Sequence, residues 1–388
     1  MKACSMLQIA LEARTIWTFL MPLIKELERE GFVVETACRK GHFMSDIEEK
    51  GIVVNSIYCE HSLNPIKVFR SFLSILHLVK NKAYDVVVTH TSIVSFISRI
   101  AARVAGVPVI IYIAHGLPFG EGMASWKWNT FFLLEKTVGH FTDALICMNE
   151  DDYITAKRRK LISNTRNIFR IKGIGVDTTK YRPLNDRQIN LIRSALNIAN
   201  NEKVVGFIGR LIPEKGIMDF LMAAAYVRNV EKVKFIILGD GPLEKKVKKF
   251  CRDNDMENSV LFLGFHKKIE NLAPVFDVFA LPTYYLEGVP RSILEVMAME
   301  KPVIATDVSG CRDAVLNGIT GMLIPPRSPY ILAENVLYLL RNPKLAKQMG
   351  KRGRMRVNNE FSQGVVYEEL KRIHRKLITA KLLEAISK

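Results

Sequence analysis

Short apolar runs alternate with helical patterns from one end of the chain to the other, and this alternation most constrains the fold. Continuous apolar runs rich in β-branched residues, separated by amphipathic stretches, are typical of parallel sheets covered by helices on both faces. The sequence therefore predicts an α/β protein with doubly wound sheets. The predicted strands are Met6–Leu11, Phe32–Ala37, Ile52–Tyr58, Asp85–His90, Val107–Ala114, Ala144–Met148, Val204–Ile208, Lys234–Leu238, Ser259–Leu263, Val278–Leu281, Val303–Ala305 and Met322–Ile324.

A chain of 388 residues is too long for one ordinary core and predicts two domains. The glycine-rich step from Gly173 to Asp177, followed by Pro183, suits a crossing between them. We place an N-terminal domain at residues 1–178, a C-terminal domain at 179–360, and a basic helix at 361–388 that packs back toward the first domain. The two Rossmann-like domains would face each other, with ligands at the strand ends that open into the cleft between them.

Cysteine usage and hydropathy exclude several classes of protein. The six cysteines are scattered without a Cys-x-x-Cys pair, which argues against a zinc site or a disulfide scaffold and fits a reducing compartment. No stretch holds the roughly 18 apolar residues that a membrane-spanning helix needs. Ser5, Gln8 and Glu12 interrupt the first apolar run, so we interpret it as a strand rather than a signal peptide.

The chain carries 56 Lys and Arg residues against 39 Asp and Glu, a net charge of +17. Such an excess favours a polyanionic partner, although a solvated basic surface has the same composition. No nucleic-acid-binding motif is present, so an anionic membrane surface is the better explanation. The stretch from Asn64 to Lys82 predicts a basic amphipathic helix, which suits either such a surface or packing on a sheet.

Two glutamates, Glu287 and Glu295, flank the predicted start of a helix. Gly288 and Pro290 between them do not suit a helix interior, so the helix begins near Pro290 or Arg291. A helix N-terminus attracts phosphate through free N–H groups, and the two carboxylates beside it suit hydroxyl groups. This combination fits a sugar nucleotide. Two solvated acids at an ordinary helix start are the alternative.

A second cluster follows the predicted strand Val204–Ile208. Here Gly209 leads into Arg210 and Lys215, on a turn that opens a helix at Gly216. Arginine offers a planar fork of donors and lysine a point charge, and both stabilise a developing diphosphate leaving group. Lysine–glycine turns before helices are also common, so this pattern alone leaves both interpretations open.

Together these motifs resemble the retaining family 4 glycosyltransferases, which have the two-domain GT-B architecture. The resemblance covers nearly the whole chain. The matching motifs of the second half are Gly209-Arg-Leu211, Glu214-Lys-Gly216, Gly239-Asp-Gly-Pro242 and the Glu287/Glu295 pair. In the first half, similarity to bacterial members that build O-antigen, capsule or lipid-linked oligosaccharides lies in Ala114-His-Gly-Leu-Pro118, Phe132-Leu-Leu-Glu135 and Asp143-Ala-Leu-Ile-Cys147.

The resemblance implies roles for the matching residues. Arg210 and Lys215 would hold the donor diphosphate, and Glu287 would contact hydroxyls of the transferred sugar. Glu295 would accept hydrogen bonds from the ribose, and His115 would sit beside the donor sugar. The implied catalytic residues are His115, Arg210, Lys215 and Glu287. The implied donor-binding residues are Gly209, Arg210, Lys215, Gly239, Gly241, Glu287, Gly288, Val289 and Glu295, with further donor contacts near Gly264–His266 and Thr283–Leu286.

The implied reaction moves a hexose or N-acetylhexosamine from a nucleotide sugar, with UDP favoured over GDP, to a saccharide on a polyprenyl diphosphate. In retaining members the acceptor is thought to attack from the face that the phosphate leaves, without a protein nucleophile. We therefore expect no cofactor and no obligatory metal, since the nucleotide sugar is a substrate. The expected location is the cytoplasm, peripheral on the inner face of the plasma membrane, and nucleic acid is not an expected partner.

One region departs from the family pattern. Leu11–Trp17 contains no glycine, whereas many members have a glycine-rich loop there. Either Thr15 and the helix N-terminus serve instead, or the acceptor differs. Asp253-Asn-Asp255 resembles a metal motif of another glycosyltransferase fold, but it lies at a predicted helix end. Trp126 and Trp128 suit an acceptor groove, a membrane interface or ordinary packing.

Three other functions fit parts of the sequence. A nucleotide-sugar epimerase of the same architecture would act on the donor alone. A non-catalytic subunit of a polysaccharide-assembly complex would bind without turnover, although intact Arg210, Lys215, Glu287 and Glu295 argue against it. A nucleic-acid-binding protein is the most distant alternative.

Overall fold

A computed structural model describes residues 3–60, 62, 64–284 and 287–386, with the backbone alone at residues 92 and 381–386. The chain forms two compact units: unit 1 is Met1–Ile174 with Val366–Lys388, and unit 2 is Gly175–Val365. The boundaries that we placed at 178 and 360 both fall inside unit 2. The reason is that Val176 belongs to the core of unit 2 and pairs with Ser362 in a parallel bridge.

Unit 1 is built on one parallel sheet. Its strands are β1 (Ser5–Glu12), β2 (Val33–Arg39), β3 (Val54–Ser56), β4 (Val86–His90), β5 (Val109–Ala114), β6 (Ala144–Cys147) and β7 (Ile168–Arg170). They lie in the order β3-β2-β1-β4-β5-β6-β7, so the order reverses between β1 and β4. Every residue of β4, β5 and β6 is buried. Burial on both faces explains why these strands are largely apolar, although β4 ends in the buried polar residues Thr89 and His90.

Helices cover both faces of this sheet. Those of unit 1 are α1 (Ala13–Thr15), α2 (Met21–Arg29), α3 (Met44–Glu48), α4 (Pro65–Lys82), α5 (Ser92–Val104), α6 (Ser125–Val138) and α7 (Glu150–Arg159). On β1, Met6 packs into the cluster that contains Ile24 of α2, whereas Leu7 packs into the cluster that contains Ile75 of α4. A π-helical segment, Ile16–Leu20, joins α1 to α2, so β1 enters a helix directly without a glycine-rich loop.

Unit 2 contains a second parallel sheet. Its strands are β8 (Lys203–Ile208), β9 (Val233–Leu238), β10 (Val260–Gly264), β11 (Val278–Leu281), β12 (Val303–Thr306) and β13 (Gly321–Ile324), in the order β10-β9-β8-β11-β12-β13. Its helices are α8 (Asp186–Ala195), α9 (Ile217–Val227), α10 (Glu244–Asp253), α11 (Arg291–Ala298), α12 (Cys311–Ala314), α13 (Pro329–Arg341) and α14 (Pro343–Arg356). Because α10 ends at Asp253, the Asp253-Asn-Asp255 motif is a helix end, as predicted.

The last helix, α15 (Gln363–Ile386), packs on unit 1. Its buried Val366, Leu370 and Ile373 join the cluster that covers one face of the first sheet. Lys371 lies 3.2 Å from Glu26 and 3.4 Å from Glu30, so ion pairs add to this apolar contact. Two segments that are distant in sequence therefore complete one core.

The α/β fold with two doubly wound parallel sheets is confirmed. Each predicted strand is present, although β3 is shorter than Ile52–Tyr58. The short strand β7 at the sheet edge was not predicted. Its sequence, Ile-Phe-Arg, is too brief to show a strand period.

Candidate functional site

Two loops of unit 2 leave neighbouring strands where the strand order reverses. β8 lies between β9 and β11, so the chain crosses from one side of β8 to the other after β10. The β8 loop runs from Gly209 to Gly216, and the β11 loop runs from Pro282 to Pro290. In open α/β sheets, ligands bind at such a switch point, beyond the carboxyl ends of the strands. Both predicted residue clusters of unit 2 lie on these loops or on the helix that follows the second.

Close backbone packing explains the two glycines of the Gly239-Asp-Gly-Pro242 motif. A Cβ atom on Gly239 would lie 1.8 Å from the carbonyl oxygen of Gly209, and one on Gly241 would lie 2.6 Å from that of Leu211. The Leu211 N–H also donates to the Asp240 carbonyl at 2.7 Å. The loop after β9 therefore lies directly against the β8 loop, at a distance that only glycine permits.

Hydrogen bonds fix the β11 loop to the β8 loop. The Tyr284 N–H donates to the Glu214 carbonyl at 2.9 Å, and the buried Thr283 hydroxyl lies 3.0 Å from the same oxygen. A Cβ atom on Gly216 would lie 1.9 Å from the carbonyl oxygen of Pro282. The spacing between the two loops is therefore set by backbone contacts on both sides of Lys215.

Lys215 and Glu287 form an ion pair between the two loops. Their side chains are 19% and 13% exposed, so the pair is largely shielded from water but remains partly accessible. The Thr283 hydroxyl lies 3.2 Å from the same carboxylate. Burial raises the pKa of the adjacent Cys311 thiol, and the negative charge of Glu287 adds to this effect. The structure thus brings together one cation and one carboxylate from the two predicted clusters.

Glu295 lies inside α11, which begins at Arg291 as predicted. Its side chain is 8% exposed and lies 2.7 Å from the Arg291 guanidinium. Burial raises the pKa of Tyr181, and the nearby charge of Glu295 raises it further. The interpretation of Glu287 and Glu295 as two solvated acids is therefore wrong. Sequence reasoning missed Arg291, although residues four apart on a helix face each other, and it missed Tyr181, which carries no local signal.

The backbone amides of Gly288 and Val289 lie just before the start of α11. In the described part of the chain, neither amide N–H has a hydrogen-bond acceptor. Gly310 packs against this segment, since a Cβ atom there would lie 2.3 Å from the Gly288 carbonyl oxygen. The carbonyl side is therefore occupied by the loop after β12, while the amides remain available to an anion or a hydroxyl oxygen.

The Arg210 side chain is exposed, and within the described ranges it makes no ion pair or hydrogen bond. It lies in the same loop as Lys215, so two cations are available near the switch point. Of the further donor contacts expected at Thr283–Leu286, Tyr285 and Leu286 lie outside the described residues.

His115 lies in unit 1, directly after β5. Its Nε2 is 2.9 Å from Nδ1 of His90, the last residue of β4, and Nε2 of His90 is 2.7 Å from Oε1 of the Gln8 side-chain amide. Burial lowers the pKa of His115 to about 4 and that of His374 to about 4. Burial also lowers the pKa of His90, and His115 and His374 add to this. Sequence reasoning found His115 but missed its buried partners.

These depressed histidine pKa values predict acid-sensitive folding of unit 1. Below the unfolded pKa of about 6.5, the unfolded chain binds protons that the folded chain does not, so the histidine contribution lowers stability from about pH 6.5 toward pH 4 and does not change above about pH 7. We expect up to about 1.4 kcal/mol lower free energy of unfolding per histidine for each pH unit in that window. Urea unfolding at pH 7.5 and 5.5 checks this. Equal stabilities would contradict it, and a His374→Gln variant should show a smaller difference than wild type.

The α4 surface of unit 1 has two different faces. Ile75 and Val79 are buried against the sheet, whereas Ile66, Phe69 and Leu73 are 71%, 60% and 47% exposed. The helix therefore packs on the sheet and also presents apolar side chains, so both interpretations of its amphipathic pattern apply to different faces. Within the described ranges, no helix is both long and apolar enough to cross a membrane.

The two tryptophans of α6 differ in their surroundings. Trp128 stacks on Phe132 with ring centroids 5.1 Å apart and meets the edge of Phe119, so ordinary packing accounts for it. Trp126 is 68% exposed, with the Lys127 ammonium 5.4 Å from its ring centroid. Of these two tryptophans, Trp126 is the one whose exposure suits an acceptor groove or a membrane interface.

Two family models match the chain. The model described as glycosyl transferases group 1 matches residues 188–356, and the model described as glycosyl transferase 4-like matches residues 8–149. The first match lies in unit 2 and contains both loops of the switch point. The second lies in unit 1 and contains His115.

The chain is also similar to curated bacterial proteins over most of its length. It is 28% identical, over 93% of this chain and 96% of the relative, to the UDP-Gal:alpha-D-GlcNAc-diphosphoundecaprenol alpha-1,3-galactosyltransferase of Escherichia coli. It is 25% identical, over 87% and 89%, to the N,N'-diacetylbacillosaminyl-diphospho-undecaprenol alpha-1,3-N-acetylgalactosaminyltransferase of Campylobacter jejuni. Among solved structures, HepE of Anabaena in complex with UDP and glucose has the same fold, with a TM-score of 0.81, 19% identity, and 96% and 100% of the two chains covered.

Proposed function

Because this chain belongs to the family 4 glycosyltransferases of the GT-B architecture, we propose that it transfers a hexose or N-acetylhexosamine from a UDP-sugar to a lipid-linked saccharide, with retention. The observation that carries the proposal is the Lys215–Glu287 pair between two loops at the switch point. The names of the relatives from Escherichia coli and Campylobacter jejuni, which act on undecaprenyl-diphosphate-linked sugars, support the acceptor class and a role in surface polysaccharide biosynthesis.

The cations of the β8 loop suit the diphosphate. Lys215 is held by Glu287, so its ammonium is already oriented and little side-chain entropy is lost when the donor binds. Arg210 is exposed and adds a bidentate donor for a second phosphate oxygen. Negative charge grows on the diphosphate as the glycosidic bond to the sugar breaks, so both cations stabilise the transition state more than the ground state.

The acidic residues suit the two sugar rings of the donor. Glu287 and the free amides of Gly288 and Val289 would bind hydroxyls of the transferred hexose. Glu295, oriented by Arg291, would accept from the ribose hydroxyls. A carboxylate that accepts from hydroxyls makes charge-assisted hydrogen bonds, which are stronger than neutral ones.

The Lys215–Glu287 ion pair also supports retention of configuration at the anomeric carbon. Glu287 is neutralised by Lys215, which makes its carboxylate a poor nucleophile toward the anomeric carbon. This supports a reaction in which the acceptor hydroxyl attacks from the face that the phosphate leaves. A phosphate oxygen takes the acceptor proton, so no protein base, cofactor or obligatory metal is required.

The α4 surface supports peripheral attachment to an anionic membrane, on the cytoplasmic side where nucleotide sugars are present. Replacing Ile66 and Phe69 by serine is expected to weaken binding to phosphatidylglycerol vesicles by about 10-fold, because two exposed apolar side chains lose their transfer free energy. Vesicle sedimentation measures this. The control is Leu191→Ser, a 65% exposed leucine in unit 2, which should bind like wild type. Equal binding by the double variant and the wild type would contradict the membrane assignment.

A transfer assay tests the proposed function. The purified protein is incubated with a panel of UDP- and GDP-sugars and polyprenyl-diphosphate-linked saccharides, with and without a chelator. We expect product only when donor and acceptor are both present, and equal rates with the chelator. Donor conversion without acceptor would instead identify an epimerase. Donor binding without turnover would indicate a non-catalytic subunit, and the absence of both would reject the assignment.

A further inference from the structure

A chain of hydrogen bonds in unit 1, which we call the relay, runs from Gln8 through His90 to His115. Gln8 and His90 are fully buried, and His115 is partly exposed at the carboxyl end of the sheet. The bonds run from the Gln8 amide to His90 and from His90 to His115, at 2.7 and 2.9 Å. A buried polar side chain destabilises the fold unless it is paired, so these hydrogen bonds offset the burial of Gln8 and His90.

Met6 fixes the orientation of the Gln8 amide. The Gln8 nitrogen lies 3.1 Å from the Met6 sulfur, and the Gln8 oxygen lies 2.7 Å from His90 Nε2. A thioether has no proton and accepts only weakly, so an amide oxygen placed against it would face another acceptor. The nitrogen must therefore point to Met6, which leaves the oxygen, an acceptor without a proton, facing His90.

The orientation of Gln8 then determines the tautomer of each histidine. His90 must carry its proton on Nε2 in order to donate to the Gln8 oxygen, so its Nδ1 is a bare acceptor. His115 must then carry its proton on Nε2 in order to donate to His90 Nδ1. The remaining ring atom, Nδ1 of His115, is left as an acceptor, and it has no partner in the described part of the chain.

Both rings stay neutral in this arrangement. Burial lowers the pKa of His115 to about 4 and also lowers that of His90, and a proton on His115 or His374 would further oppose protonation of His90. His374 donates through Nδ1 to the Leu370 carbonyl at 2.8 Å, so it too is in a defined neutral tautomer. Apolar side chains, including Ile113, Met148 and Leu370, line a small cavity beside the His90 and His115 rings and keep water away from the relay.

We propose that Gln8 and His90 are positioning residues that lock His115 in its Nε2–H tautomer, so that its Nδ1 is presented at the carboxyl end of the first sheet as an acceptor for a hydroxyl group of a bound substrate. The ligand half of this inference rests on the proposed function, whereas the tautomer half does not. A site that presents a fixed acceptor favours a sugar with a hydroxyl at that position, because a deoxy sugar leaves the acceptor unpaired.

Nitrogen NMR of protein labelled with ¹⁵N-histidine tests the tautomer without any substrate. The His115 signals are identified by their absence from a His115→Gln spectrum. At pH 7, we expect the chemical shift of Nε2 to be that of a protonated ring nitrogen and the chemical shift of Nδ1 to be that of an unprotonated one. Protonation at Nδ1 would overturn the proposal. Gln8→Met removes the acceptor for His90 Nε2 with little change of volume. We then expect the proton of His90 to move to Nδ1 and that of His115 to move from Nε2 to Nδ1. An unchanged His115 spectrum in this variant would show that Gln8 does not determine the tautomer of His115.

A substrate-analogue experiment tests the hydroxyl contact. Among UDP-sugars and acceptor saccharides that each lack one hydroxyl, we expect one to lose about 10-fold or more in kcat/KM with the wild type. In Gln8→Met we expect a smaller ratio of kcat/KM between the parent substrate and that analogue. Thr89→Val is the control, since Thr89 is equally buried on β4 but bonds to Ser95 at 2.8 Å, outside the relay. If this ratio of kcat/KM is the same in Gln8→Met as in the wild type, the proposed hydroxyl contact is wrong. If no nucleotide sugar is bound or turned over at all, the proposed function fails, and the NMR result still decides the tautomer.

Discussion

Replacing Lys215 by alanine is expected to lower kcat/KM for the nucleotide sugar by about 100- to 1000-fold. The Lys215 ammonium pairs with the Glu287 carboxylate between the two loops of the switch point, and 19% of its side chain is exposed. In such a shielded site, one charge that faces the departing diphosphate contributes several kcal/mol to the transition state. Steady-state kinetics with saturating acceptor measures the loss.

Two further variants separate a direct role of Lys215 from an indirect one. Lys245→Ala removes an exposed cation of α10 in the same unit and should leave kcat/KM unchanged. Lys215→Ala also removes the lysine partner of Glu287. The double variant with Glu287→Ala removes that carboxylate as well. Recovery of activity in the double variant would show that Lys215 only neutralises Glu287, contrary to the proposed contact with the diphosphate.

Replacing Gly216 by alanine is expected to lower the free energy of unfolding of unit 2 by about 3 to 5 kcal/mol and its Tm by roughly 10 °C. The new Cβ would lie 1.9 Å from the carbonyl oxygen of Pro282, which belongs to the backbone and cannot rotate away. The β8 and β11 loops must then separate, and Lys215 and Glu287 move apart with them. Calorimetry and donor binding both report this change.

Gly318→Ala is the matched control for that substitution. Gly318 has a φ of +74°, close to the +68° of Gly216, but no atom lies within 4 Å of its ideal Cβ position. It therefore carries only the backbone penalty of about 1–2 kcal/mol. Equal losses in the two variants would mean that the contact between the two loops does not limit stability.

Most strands could be predicted from the sequence because they are short, largely apolar runs. In β4 and β5 every residue is buried, so burial leaves a local signal that a single sequence carries. The break between the units was misplaced by a few residues, because the bridge between Val176 and Ser362 joins segments that are far apart in the chain. Strand β7, with three residues, left no such signal.

The candidate site was predictable where its chemistry is local. Glu287 and Glu295 flank a helix start, and Lys215 precedes Gly216 at another, so the pattern is visible without the fold. Tyr181 and Cys311 approach the same carboxylates only through tertiary packing.

The relay in unit 1 was unpredictable for a similar reason. His115 follows a strand and belongs to a family motif, but Gln8 and His90 lie on strands that the reversal of strand order brings together. Gln8 lies within an apolar run, where its polarity seemed only to interrupt a hydrophobic segment. Its meaning depends on the contact with Met6 and His90, which only the folded sheet provides.

Calorimetric titration of the purified protein with UDP and with UMP tests the central claim most directly. The two ligands differ by one phosphate, which is the group assigned to Lys215 and Arg210. We predict one UDP bound per chain, UMP binding at least about 10-fold weaker, and a Lys215→Ala variant whose affinity for UDP approaches that for UMP. Equal binding of UDP and UMP by the wild type, or undiminished UDP binding by Lys215→Ala, would contradict a diphosphate site between the β8 and β11 loops.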